Sequence, residues 1–164
     1  MIDIQTVLTY LTLISIPIGV VYHIMTLNNT RKNQQLQLET RQATLWMQLY
    51  SRYSDLELAR VAIELLVEWS WTDFDDFIEK YGQFTNPDAY SKFLSVDNYF
   101  EGIGMLVSRE LIEVEMVDDL MWSPITEFWE KFGPMIVEMR KRTGMSRISE
   151  FTELLYDSIQ SIEK

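Results

Sequence analysis

The sequence has no cysteine and only one histidine, and these shortages exclude several kinds of functional site. Without cysteine there is neither a disulfide framework nor a thiolate zinc site. With His23 as the single histidine, the chain cannot supply the two Glu-x-x-His motifs of a helical di-iron site, or the usual pair of nucleophile and base. Carboxylates are the plentiful reactive groups that remain, and we expect no metal site and no cofactor.

Charged side chains are missing from most of the N-terminal region. No residue between Asp3 and Arg31 is formally charged, and Val7–Leu27 is an uncharged run of 21 residues. A helix of that length spans about 31 Å, close to the hydrocarbon thickness of a bilayer. We therefore predict a transmembrane anchor within residues 1–30, kinked at Pro17 and Gly19. The residues predicted to form the anchor are Val7, Leu8, Leu11, Leu13, Ile14, Ile16, Pro17, Ile18, Gly19, Val20, Val21, Ile24 and Leu27.

Two alternatives to a permanent anchor are a core helix of a soluble protein and a cleaved signal peptide. A core helix seldom runs so long without a charge, and a signal peptide needs a basic start and small residues at its cleavage site. The only charged residue before this run is Asp3, and Leu27–Thr30 stand where the small residues of a cleavage site would be expected. Arg31, Lys32 and Arg41 come next, so the positive-inside rule predicts a cell-membrane protein with an external N-terminus and a cytoplasmic C-terminal domain.

His23 would lie about one turn from the cytoplasmic end of this helix. Beside Tyr22, its amphipathic ring can reach the lipid headgroups, and we expect an interfacial anchoring role. A proton-transfer or metal role is the alternative, because an ionisable residue inside a membrane is a functional candidate.

Helix breakers are missing after the anchor. No glycine or proline occurs between Gly19 and Gly82, so the helix can continue into a polar juxtamembrane stalk over residues 31–53. At the end of this stalk an apolar face returns, formed by Ala43, Trp46, Met47, Tyr50 and Tyr53.

Residues 54–164 are predicted to form an acidic cytosolic bundle of about five to six helices. Ser54 and Glu57 match a capping box and mark the start of the first helix. Thr72 is predicted to cap the next helix, which ends at Gly82. The core-facing stripe of the first helix is Leu58, Val61, Ala62, Leu65, Leu66 and Trp69.

A long helix is predicted to start at Asn86 and Pro87 and to reach about Val107. Gly102 and Gly104 lower helix stability within it, which indicates the close approach of another helix. A turn should follow near residues 108–113.

The rest of the chain is divided by proline and glycine. A short helix should carry Val117, Leu120 and Met121, and a new helix should start at Ser123–Pro124. A final helix is expected from about Ser146, after Gly144. No segment alternates with period two, so the predicted fold class is all-α, with no sheet.

Acids outnumber bases, and the excess is concentrated in one region. The whole chain carries a net charge of −11, and the stretch from Asp55 to Glu130 alone carries −14. Such a surface repels nucleic acid and anionic lipid, so we expect no nucleic-acid partner. The basic cluster Arg140–Arg142 is interpreted as favourable charge at a helix C-terminus, with a lipid or nucleic-acid patch as the alternative.

Two groups of residues could be mistaken for sites. Glu64 and Glu68 lie one turn apart near Asp73, Asp75 and Asp76, but their spacing fits no EF-hand loop and is explained by solvated surface and helix N-terminal charge. The tryptophans are interpreted as core residues, with a ligand cage as the alternative. They are Trp46, Trp69, Trp71, Trp122 and Trp129.

Three stretches resemble an uncharacterised family of prokaryotic single-pass membrane proteins that is known only as a domain of unknown function. They are Thr40–Tyr50, Tyr99–Gly104 and Ile125–Trp129, and the similarity spans nearly the whole chain. The resemblance implies an anchored helical domain and supplies no catalytic residues.

The favoured hypothesis is a non-enzymatic interaction or scaffold protein, held at the lipid bilayer, that binds a basic protein or forms a homo-oligomer. The alternative is an accessory subunit of a larger membrane complex, with the anchor helix as its interface through Ser15, Pro17 and Gly19. The third is an enzyme that uses carboxylates such as Glu64, Glu68 and Glu101.

Overall fold

The computed structural model describes residues 3–162, and 84% of these residues are helical. No strand occurs within these residues, which confirms the all-α prediction. The helices are α1 (Ile4–Tyr53), α2 (Leu56–Ile63), α3 (Phe74–Tyr81), α4 (Pro87–Ser108), α5 (Val114–Thr143) and α6 (Glu150–Gln160), and a five-residue π-helical turn (Glu64–Glu68) directly extends α2.

Helix α1 is continuous over 50 residues, as the lack of helix breakers after Gly19 predicts. The helix runs through Pro17, and its polar stretch between the apolar run and Gln42 stays helical. The chain separates into two units, Met1–Arg41 and Gln42–Lys164. Residues 42–53, which the sequence analysis assigns to the stalk, lie in the second unit.

The core of the second unit is built around phenylalanine rings. Phe128 and Phe132, one turn apart on α5, stack with ring centroids 4.9 Å apart. Phe93 of α4 lies 5.3 Å from Phe132, and Phe100 lies 5.3 Å from Phe128. All four are almost fully buried, so α4 and α5 form the centre of the bundle. Trp46, near the end of α1, is also buried in this core, whereas Met47 is exposed, contrary to prediction.

Two predicted helix caps are displaced by one residue. Asp55, and not Ser54, is the N-cap of α2, and its carboxylate accepts a hydrogen bond from the Glu57 amide at 3.0 Å. Asp73, and not Thr72, is the N-cap of α3. Aspartate is at least as good a cap as serine or threonine, and adjacent capping residues make the exact start ambiguous from sequence.

The other helix boundaries follow the sequence more closely. Asn86 caps α4 by accepting from the Ala89 amide at 3.1 Å, with Pro87 in the first turn. Gly144 ends α5 in the left-handed conformation, with φ of 71°. The last helix starts at Glu150, later than the predicted Ser146, because residues 146–149 form a turn.

The predicted break at Ser123–Pro124 is wrong, since α5 runs unbroken from Val114 to Thr143. A proline inside a helix removes one backbone hydrogen bond and costs about 3 kcal/mol. Here Met121 and Ile125, on either side of Pro124, are both fully buried. Burial of one continuous apolar face therefore outweighs the local cost of the proline. Leu120, expected to be part of the apolar face, is exposed.

The two glycines within α4 have different surroundings. A Cβ at Gly104 would lie 2.0 Å from the carbonyl oxygen of Phe151, so α6 packs directly on the α4 backbone there. A Cβ at Gly102 would meet nothing within 4 Å. The predicted close approach of another helix is therefore confirmed at Gly104 and wrong at Gly102.

Candidate functional site

The predicted anchor residues lie on the first half of α1, and their side chains are exposed. A window of this helix has a mean hydropathy of 1.8 and none of it is buried, so by length and composition the helix could cross a membrane. Its hydroxyl groups bond within the helix, since Thr9 donates to Gln5 O at 2.8 Å and Thr12 to Leu8 O at 2.9 Å. Their polarity is therefore satisfied without a partner helix. His23, Arg31, Lys32 and Arg41 are exposed on the same helix, and their anchoring and topological roles stay predictions.

The most distinctive surface of the second unit is a row of aliphatic side chains on α2 and the π-helical turn. Leu56, Ile63 and Val67 are 64%, 60% and 75% exposed. Their spacing of i, i+7 and i+11, with the last step across the π-helical turn, places them on the same side of this helical segment. We call these three residues the α2 ridge. Isolated exposed apolar residues are ordinary, but several along one side of a helix are typical of an interaction site, and here the exposed Arg60 lies beside them between Leu56 and Ile63.

The opposite side of the same helix is well packed. Ala62 and Leu65 are buried, which confirms the predicted core-facing stripe. Leu58, Val61 and Leu66 pack against this core, and Trp69 is buried in it. The α2 ridge therefore does not contribute to the core, because the opposite side of the helix already packs against it.

A row of glutamates runs beside the α2 ridge. Glu57, Glu64 and Glu68 each follow one ridge residue in the sequence and so repeat its spacing, about 100° further around the helix. We call them the acidic row. Lys92 of α4 lies 2.7 Å from Glu64 and holds the pKa of that carboxyl below its usual range. Glu57 and Glu68 are exposed and form no ion pair within residues 3–162.

The π-helical turn that carries Val67 is fixed by Lys131 of α5. Its ammonium group donates to the carbonyl oxygens of Leu66 and Trp69, each at 2.7 Å, and lies 5.5 Å from the centre of the Trp71 ring. Burial lowers the pKa of this lysine. The Trp69 amide closes the turn on Glu64 O at 3.3 Å. The backbone under the α2 ridge is therefore ordered before any partner binds, which lowers the entropic cost of binding.

The aspartates near Glu68 are used by helix α3. Asp76 accepts from the Thr72 amide at 2.8 Å and pairs with Lys80 at 2.9 Å, which lowers its pKa. Asp75 pairs with Arg142 at 2.5 Å. Within residues 3–162 no three potential ligands form a group that could hold a metal ion.

A buried polar cluster, which the sequence patterns did not predict, lies between α4 and α6. Asp97 is 5% exposed and accepts from the hydroxyl of Ser149 at 2.7 Å. Burial raises the pKa of Asp97 to about 6. Glu101, one turn later, accepts from the Thr152 amide at 2.7 Å. A signal was present, since Asp97 shares the helix face of the core residues Phe93 and Phe100.

The basic cluster before Gly144 is engaged within the protein. Arg140 donates to the carbonyl oxygens of Ile148 and Ser149 and pairs with Glu153 at 2.5 Å. Arg142 pairs with Asp75 and with Glu138, at 2.5 and 3.0 Å. These contacts favour the structural interpretation over a lipid or nucleic-acid patch.

The five tryptophans do not form a ligand cage. Trp69 stacks on Tyr81 with centroids 3.9 Å apart, and Trp71 packs edge-on against Phe77 at 5.0 Å. Trp46 and Trp129 are buried in other parts of the core, whereas Trp122 is 42% exposed on α5, so the core interpretation is wrong for Trp122. Two carboxylates of the enzyme hypothesis have partners within the protein, since Glu64 pairs with Lys92 and Glu101 accepts from Thr152.

Comparison with known proteins identifies the family. The model of a domain of unknown function (DUF4760) matches residues 13–159, which is most of the chain, and the protein therefore belongs to that family. No curated protein and no solved structure matches the chain.

Proposed function

We propose that this member of the DUF4760 family is a single-pass protein of the cell membrane whose cytoplasmic helical domain binds another protein and catalyses no reaction. The α2 ridge is the observation that carries the proposal. An exposed row of aliphatic residues costs solubility, and it persists here on a helix whose other face is already buried. A protein partner that covers Leu56, Ile63 and Val67 would account for it.

The non-enzymatic part rests on how the carboxylates are used. Glu64 and Glu101, two of the candidates for carboxylate chemistry, are hydrogen-bonded to Lys92 and to Thr152. These contacts stabilise packing between elements, which is a structural use of the acids. The strong excess of acid favours a partner with a basic surface.

The membrane location is supported by the apolar half of α1. Its side chains are exposed, and Arg31, Lys32 and Arg41 follow it. The orientation can be measured directly because the sequence has no cysteine. A cysteine at the exposed Gln5 should react with a membrane-impermeant maleimide in intact cells, and one at the exposed Ser54 should react only after lysis. The opposite pattern would reverse the proposed orientation.

Photocrosslinking in native membranes tests protein binding. A benzophenone side chain at the exposed Arg60, which lies beside the α2 ridge between Leu56 and Ile63, should yield an adduct with a second protein. The same group at Phe84, a 90% exposed residue in the loop before α4, is the matched control and should yield little or none. Recovery of the unmodified monomer alone from both positions would refute the proposal.

A second candidate function is an accessory subunit that uses α1 as its interface. Ser15 and Gly19 are exposed small residues four positions apart, a spacing that permits close helix packing in membranes. Replacing residues 4–27 with a generic transmembrane helix separates the two functions. Retained crosslinking from Arg60 favours the helical domain, and its loss favours the anchor helix.

A further inference from the structure

The α2 ridge and the acidic row lie side by side with the same spacing. Each aliphatic residue of the ridge is followed directly by a glutamate, in the pairs Leu56–Glu57, Ile63–Glu64 and Val67–Glu68. We propose that this surface binds one amphipathic helix of a partner protein, with an apolar stripe on the α2 ridge and lysine or arginine residues along the acidic row. This inference rests on the proposed function, because it names the partner of the same surface.

The dimensions of the surface suit a helix. From Leu56 to Val67 the ridge is about 16 Å long, or three helical turns, so a partner helix of about 12–15 residues would cover it. Helices recognised in this way present apolar anchors at i, i+3 or i+4, and i+7. The ridge offers anchor points at the same kind of interval, whereas an extended peptide would need an open sheet edge, and no strand occurs within residues 3–162.

Charge selects a basic partner. Glu57 and Glu68 are exposed at the two ends of the acidic row and form no ion pair in the described part of the chain. Glu64, at the centre, already pairs with Lys92, so the carboxylates that a partner's cations could pair with lie at the two ends of the row. A partner cation at each end would form an interfacial ion pair, which fixes the register of the helix and speeds its association.

The same charges argue against a second copy of this chain. When two copies of one helix pack antiparallel about a two-fold axis, each flank faces the same flank of the other copy. The acidic row would then face itself and repel, because the one cation on this flank of α2, Arg60, is outnumbered by Glu57, Glu64 and Glu68. In a parallel arrangement it would face Ala59 and Leu66, on the other side of the ridge, and neither residue can neutralise a carboxylate. The net charge of −14 between Asp55 and Glu130 likewise repels anionic lipid.

A titration with two designed peptides tests the proposal. The full chain in detergent micelles is titrated against a fluorescent amphipathic helix of about 18 residues, with leucine at i, i+4, i+7 and i+11 and lysine after each leucine. Its twin has glutamate in place of lysine. We expect the lysine peptide to bind at least about tenfold more tightly than the twin, and more weakly as salt is added. Equal binding of the two peptides, or no binding of either, overturns the proposal.

Variants of the chain assign the binding to this surface. Ile63→Ser with Val67→Ser should weaken binding of the lysine peptide at least about tenfold, and Glu57→Lys with Glu68→Lys should reverse the preference between the peptides. Phe84→Ser, at an even more exposed apolar site, should bind like the wild type. Because all five positions are exposed, the tryptophan fluorescence of each variant should be unchanged. Wild-type binding by the ridge variant overturns the proposal.

The outcomes separate this inference from the proposed function. If crosslinked adducts still form from Arg60 in membranes after the ridge residues are substituted, the protein does bind a partner, but not through a helix on the α2 ridge. If the lysine peptide binds but no adduct forms from Arg60 in membranes, the surface can bind a basic amphipathic helix, but the proposal that it binds a protein in the cell is refuted. A dimer of the full chain that dissociates when Ile63 and Val67 are substituted assigns the surface to a second copy and also refutes the inference.

Discussion

The hydroxyl of Ser149 donates a hydrogen bond to the buried carboxylate of Asp97 over 2.7 Å, and this bond joins the start of α6 to the middle of α4. Ser149 adopts a left-handed conformation there, with φ of 53°. The carboxylate is held by hydroxyl groups, since its second oxygen lies 3.4 Å from the Thr152 hydroxyl. Burial without a directly bonded cation makes this the acid whose protonation matters most to the fold.

Asp97 should make the second unit less stable as the pH rises from about 4 to about 7. Burial raises the pKa of Asp97 from 3.8 to about 6, so the folded state binds its proton more tightly than the unfolded chain. The stabilisation by that proton is lost as pH rises through about 6, and it contributes about 2 kcal/mol between pH 4.5 and 7.5. Asp97→Asn should remove this contribution. Urea unfolding in micelles, followed by tryptophan fluorescence, measures it, since every tryptophan lies in the second unit.

The comparison needs a matched acid, because other carboxylates also titrate in this range. Asp157→Asn, at an exposed position of α6, is that control. If Asp97→Asn keeps the same pH profile as the wild type, the Asp97 carboxylate is not the source of the dependence.

Replacing each of the two glycines of α4 by alanine should change the free energy of unfolding in opposite directions. Gly104→Ala would place a methyl group 2.0 Å from the Phe151 carbonyl oxygen, so α6 must move and the unfolding free energy should fall by about 2 kcal/mol or more. Gly102→Ala meets open space and should raise it by up to about 1 kcal/mol, because alanine favours the helix. Denaturant midpoints measure both changes. A stabilising Gly104→Ala would show that α6 does not pack at this point.

Arg140 should matter more to stability than Arg142, although they are neighbours on the last turns of α5. Arg140 is 15% exposed and bridges Glu153 and two carbonyl oxygens. Arg140→Met leaves these groups without their donor and should cost about 2–3 kcal/mol. Arg142 pairs with the exposed Asp75, so Arg142→Met should cost less, and added salt should reduce the difference from wild type. Equal losses from both variants would contradict this assignment.

Lys131 should be required for the π-helical turn. Lys131→Met keeps most of the aliphatic stem but removes the donor to Leu66 O and Trp69 O, which should cost about 1–3 kcal/mol. Because Trp69 stacks on Tyr81 beside this turn, its near-ultraviolet circular dichroism should also change. Lys80→Met, which removes an exposed ammonium that donates to Asp76 and Ser70 O nearby, is the control. An unchanged spectrum in Lys131→Met would show that the turn is stable without the ammonium group.

Local sequence patterns determined the helical fold and most of its boundaries. The charge-free run in α1 can be found from composition alone. Hydrogen bonds and torsion angles within a few residues determine the cap at Asn86 with Pro87 and the helix ends at Gly82 and Gly144. The core stripe of α2 follows from helical periodicity alone. These features could be predicted because each depends on neighbours in the chain.

Only the tertiary structure decided which surfaces remain uncovered and which polar groups are buried. The continuity of α5 at Pro124, the burial of Asp97 against Ser149, and the π-helical turn on Lys131 each depend on residues far away in the sequence. The exposure of Leu56, Ile63 and Val67 is of the same kind, since the helical period places them outside the core stripe of α2 but does not say whether another element covers them. Covering a side chain is a property of long-range packing, and a helical period cannot specify it.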